Sequence, residues 1–152
     1  MIRAKLSLVA VVFGLVFSLG LYGCGGDDDN ADFPNVLGVY RGTATQTNSG
    51  CSNPANNGTS TDANATVNLS SQSGANFSGT AQGGGGTTIS LTGQLTSDST
   101  ANGTFTSTSG GVALQGTFTA TLSGNTLTVN ASGRYTAGET CTFQLQFTGT
   151  RQ

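Results

Sequence analysis

The chain has no histidine and no tryptophan, two prolines, and a single methionine at position 1. Without histidine, a hydrolytic triad loses its usual general base, and metal sites built from His and Cys are excluded as well. Charge is equally scarce, at 8% of residues. Beyond Phe33 the charged residues are Arg41, Asp62, Asp98, Arg134, Glu139 and Arg151, three of each sign. No basic cluster remains to neutralise phosphates, so nucleic acid is not an expected partner. Peripheral binding to anionic lipid lacks its electrostatic basis for the same reason. The glycines at 83–86 are followed by neither Lys-Ser/Thr nor a helical pattern, which excludes a phosphate loop. Asp62, Asp98 and Glu139 each fall in a predicted loop or turn, where solvation explains them better than a glycosidase pair does. No catalytic residues, no metal site and no enzyme are expected.

The amino terminus does carry a signal. Arg3 and Lys5 precede an uncharged apolar run over 6–21, short of the ~20 residues a membrane-spanning helix needs. The run ends in Leu21-Tyr22-Gly23-Cys24. This sequence resembles the lipobox of bacterial lipoproteins, with Leu21 and Gly23 as the recognition residues for signal peptidase and Cys24 as the residue modified. A simple anchor, or ordinary secretion with a chance cysteine, is the other reading. The resemblance implies diacylglycerol on the Cys24 thiol and acylation of its freed amine. Two or three chains at ~0.8 kcal/mol per buried CH₂ hold a protein stably on a membrane where one does not. Residues 1–23 are then the signal peptide and 24–35 an acidic Gly/Asp tether carrying Asp27, Asp28, Asp29 and Asp32. Gly25 after the cysteine, by analogy with lipoprotein sorting, implies the outer membrane of the cell envelope.

From Val36 onward short alternating runs are separated by turn chemistry. The first covers 36–47, and a polar loop is expected over 48–62. Later runs set Ala65, Val67 and Leu69, then Phe77, Gly79 and Ala81, then Ile89, Leu91, Gly93 and Leu95, on one face. Gly103 and Phe105 follow, then Leu114, Gly116, Phe118 and Ala120, then Leu127 to Tyr135, and finally Phe143, Leu145, Phe147 and Gly149. Eight strands with short links predict an all-β fold, an eight-stranded antiparallel up-and-down β-barrel over 36–152. Recurrent glycines in the apolar row suit a small, strongly coiled barrel. A β-sandwich is the alternative.

With Cys24 lipidated, Cys51 and Cys141 remain, and an exported compartment favours a disulfide between them. Cys51 follows the first strand and Cys141 opens the eighth. A barrel brings these ends to one rim, and a sandwich could too. Gly38-Val39-Tyr40 with Arg151 is similar to the Gly-x-Trp and closing Arg of lipocalin-like (calycin) barrels. That resemblance implies that Arg151 packs over Tyr40, which stands where the family has Trp, and closes one end. The other reading makes Tyr40 a core residue and Arg151 a surface one. The expected function is a non-enzymatic lipid-anchored envelope protein without cofactors, binding a small apolar ligand inside the barrel. The alternative is a structural or interaction module, a scaffold, inhibitor or adhesin, binding a protein partner through its loops, foremost the one holding Cys51.

Overall fold

The computed structural model describes residues 33–83, 86–109, 112–136 and 138–152. Cys24, Leu21 and Gly23, with most of the tether, lie outside these described residues. Eight strands follow in order: β1 (Gly38–Ser49), β2 (Gly58–Ser73), β3 (Asn76–Gln82), β4 (Thr88–Leu95), β5 (Thr100–Ser109), β6 (Val112–Ser123), β7 (Thr126–Tyr135) and β8 (Thr142–Arg151). Each pairs antiparallel with the next, and β8 returns to β1, closing the barrel. One continuous sheet rules out the sandwich. Two of the hairpins are the two-residue turns that Gly74 and Gly124 permit, with φ of +56° and +57°.

Period-two alternation sorts the side chains. On β8, Phe143 and Phe147 are buried inside, while Thr142, Gln144, Gln146 and Thr148 are exposed outside. The outer wall is made of such hydroxyl and amide groups, joined across strands by pairs such as Thr47–Thr59 at 2.9 Å and Thr92–Thr104 at 3.2 Å. β-Branched Thr fits a pleated, half-wet surface, and these pairs reinforce the register. An apolar inside and a polar outside are the reverse of a barrel that spans a membrane.

The inner row explains the glycines. Phe77 lies opposite Gly93, Phe118 opposite Gly103, Phe105 opposite Gly116, and Phe143 opposite Gly133. At Gly116 an added Cβ would meet both the Phe105 ring and the carbonyl of Ser132. The missing side chain therefore lets the ring lie on the neighbouring strand and lets the strands coil tightly. Rings laid against the wall in this way leave space along the axis.

β2 departs from simple alternation twice. Its register shifts between Gly42/Ala44 on β1, and again between Leu69 and Ser71 against β3. At the first shift Gly42 faces Ala65 and Ala44 faces Asp62, so one β1 residue opposes two on β2. A bulge re-aims the side chains that precede it. Without it, Ala63 would share the inner face with Ala65; with it, Asp62 and Ser60 face inward. This corrects the expected loop over 48–62. Asn48 and Ser49 continue β1, and β2 begins at Gly58, leaving only 50–57 as the connection. The polar run Gly58–Asp62 reads as loop in sequence because its apolar row stops, yet its threonines pair with those of β1.

Candidate functional site

The two ends of the barrel are built differently. At one, residues Phe33 to Leu37 cross the opening, and Val36 is buried in the core. Phe33 and Asn35, assigned to the tether from sequence, thus contribute to the barrel itself. Tyr40 is fully buried, and its hydroxyl donates to the Val36 carbonyl at 2.9 Å. The same oxygen accepts from Arg151 Nη2 at 2.7 Å and Nε at 3.2 Å, and Nη2 also donates to the Asn35 carbonyl at 2.9 Å. The guanidinium carbon lies 5.3 Å from the ring centroid. The contact is thus chiefly to the phenol oxygen, a handle that a Trp would not offer. Gly38 makes room for it: an added Cβ would stand 3.2 Å from the Arg151 side chain. Gln72, turned inward past the second β2 bulge, accepts from the Val36 N–H at 2.9 Å and donates to the Pro34 carbonyl at 3.0 Å. Every polar group named here has a partner, and this end is sealed.

At the other end Cys51 and Cys141 are bonded, across a separation of 90 residues, where β1 leaves and β8 begins. The bridge ties the 50–57 connection to the rim. Ser52 N–H donates to the Thr140 carbonyl at 2.8 Å, and the Glu139 carboxylate accepts from Asn53 N–H at 3.1 Å and Asn56 Nδ2 at 2.6 Å. Glu139 also lies near both sulfurs, but the disulfide leaves no thiolate to join it in holding a metal.

No segment comparable to 33–37 crosses this rim among the described residues. Inside it a cavity of about 720 Å³ runs down the axis. Its wall includes Ala44, Ile89, Leu91, Leu114, Val129, Ala131 and Leu145, which point inward yet are only half-buried. Phe77, Phe105, Phe118, Phe143 and Phe147 form its deeper lining. The rings touch edge to tilted face, with centroids 5.8 Å apart for Phe105–Phe143 and 5.4 Å for Tyr135–Phe143. Polar groups gather at the mouth. Gln46 Nε2 donates to the Tyr135 hydroxyl and to Asn48 Oδ1, both at 2.8 Å. Asp62 Oδ1 accepts the Asn64 N–H at 2.9 Å, bracing the bulge that turns it inward. Ser107 is the buried polar residue among those described, and it donates to the Thr88 carbonyl at 2.6 Å.

The arrangement can hold an apolar body of limited size with its polar end at the mouth. Asp98 sits in the β4–β5 connection at the sealed end, far along the strands from Asp62 and Glu139. The structure does not gather these three acids into one site. Sequence reasoning missed Gln46 and Asp62 as mouth residues and Gln72 as part of the seal. Gln46 was legible, since it continues the alternation of Tyr40, Gly42 and Ala44. The other two depend on the bulges.

No family model and no curated protein matches the sequence. Among solved structures, the chain is similar to EF1p2_mFAP2b bound to DFHBI, with a TM-score of 0.52 and 20% identity. The match covers 76% of this chain and 93% of that one. At this identity the likeness is one of fold.

Proposed function

We propose that the protein is a non-enzymatic envelope lipoprotein, anchored through lipid on Cys24, whose barrel takes up a small apolar ligand. The carrying observation is the cavity of about 720 Å³, walled by half-buried aliphatic side chains, open at the disulfide rim and closed at the other. Pockets of this size, apolar with a few polar groups, are the usual form of small-molecule sites. A barrel of similar fold has been solved bound to DFHBI, which supports the reading. The described chain enters the barrel at the sealed end, opposite the disulfide rim. Gly25 supports an outer-membrane address.

The test uses N-phenyl-1-naphthylamine, an uncharged probe that brightens in apolar surroundings. The protein should bind it, and Ala131→Trp, which fills the lumen, should abolish binding while the barrel stays folded. No uptake by the wild-type protein, or full uptake by the filled variant, overturns the cavity reading. For the anchor, mass spectrometry of the mature amino-terminal peptide should find diacylglycerol on Cys24, and Cys24→Ser should release the protein from membranes. A protein partner held by the 50–57 connection is the second reading, favoured by how firmly the disulfide and Glu139 fix that exposed segment. A specific crosslink from this segment in intact envelopes would support it.

A further inference from the structure

We infer that the barrel selects amphiphiles whose polar end is uncharged or cationic and rejects those ending in a carboxylate or other anion. The inference rests on the cavity reading above and concerns which ligands that cavity accepts.

Among the described residues, the cavity lining contains one charged side chain, Asp62, and no Lys, Arg or His. Every cation among the described residues lies elsewhere. Histidine is absent from the chain, and Arg3 and Lys5 lie outside the described residues. Arg41 and Arg134 are exposed on the outer wall, and Arg151 is engaged with Tyr40 and Asn35 at the sealed end. Among the described residues the lumen therefore offers an anion no counter-charge.

The position of Asp62 adds to this. It is the β2 bulge that turns its carboxylate into the lumen, beside Ala44 of β1. The second rim acid, Glu139, lies on the β7–β8 connection at the same end. A ligand seated with its apolar body against Leu91, Ala131 and Leu145 leaves its head among Asp62, Gln46 and Tyr135. An anionic head there would lose water, meet a like charge and find no cationic partner among the described residues, each of which is unfavourable. A hydroxyl or amide head can share hydrogen bonds with the Gln46 amide and the Tyr135 hydroxyl instead. An ammonium head gains the attraction of Asp62. The interior volume bounds the size: at roughly 30 Å³ per water-sized group, it admits about two dozen such groups at most.

The experiment is displacement of N-phenyl-1-naphthylamine from the full-length protein by decanol, decylammonium and decanoate at neutral pH. Decanol and decylammonium should displace it at concentrations about tenfold or more below decanoate, reflecting a like charge at close range. Asp62→Asn keeps an oxygen for the Asn64 N–H, so the bulge persists while the charge goes. This variant should bring decanoate to within about threefold of decanol and weaken decylammonium. Equal displacement by all three on the wild-type protein overturns the inference, as does an unchanged order in Asp62→Asn. Failure of the probe itself to bind is a different result: it removes the cavity reading, and this inference with it.

Discussion

Tyr40 and Tyr135 both stand on the inner row, one near each end of the barrel. Tyr40 has no exposed surface and its hydroxyl joins Val36 and Arg151. Tyr135 is half-buried, tilted against Phe143 and bonded to Gln46. The residue type is the same and the strands are continuous between them. What differs is the chain beyond the strands. At the Tyr40 end residues 33–37 cross the opening and bring backbone carbonyls that a buried phenol and guanidinium require. At the Tyr135 end the disulfide holds the 50–57 connection to Cys141 at the rim, and no described segment crosses the opening. An up-and-down barrel is symmetric enough to be closed at either end, and here a five-residue segment and one arginine break that symmetry.

The largest effect that would break this comparison comes from the sealed end. Tyr40→Ala should cost about 3–5 kcal/mol in urea denaturation, the range for deleting a buried ring, with Arg151 left unpaired besides. Tyr135→Ala should cost less than half as much, because its ring is already partly wet. Equal losses would mean the ends are energetically alike. Replacing both Cys51 and Cys141 by Ala should cost about 2–4 kcal/mol, since the loop of 90 residues is long. That loss should arise with the seal intact. Gly116→Ala should cost about 1–3 kcal/mol by forcing the Phe105 ring off the wall. As the ring moves toward the axis, N-phenyl-1-naphthylamine uptake should fall. The smallest change is expected for Gln46→Ala, under about 1 kcal/mol in stability, because its partners remain open to water at the mouth.

Much of the barrel could be read from alternation. The positions of Phe77, Phe105, Phe118, Phe143 and Phe147 on one face follow from a period of two, and all five are buried. The failures have a common cause. The run through Asp62 reads as loop because Asp62 falls out of phase with Ala65, and a bulge leaves no mark in composition. The same phase change hid Gln72, which reads as outward until the Leu69/Ser71 shift turns it onto Pro34 and Val36. The pairing of Phe77, Phe105, Phe118 and Phe143 with a Gly across the ladder was also invisible, because the register between strands is a tertiary quantity even when both residues are plain in the chain.

Sequence by itself determined the inside and outside of this barrel, its number of strands, and the cysteines that meet at one rim. Those properties depend on local periodicity and on which residues water tolerates. It did not determine that the interior is hollow. That was decided in three dimensions, by glycines that take aromatic rings flat against the wall and so keep the axis free. Nor did it determine which end is open, because sealing depends on where the 33–37 segment and Arg151 come together across a closed sheet. The charge at the mouth was decided by a single bulge, which turned Asp62 from an outward position to an inward one.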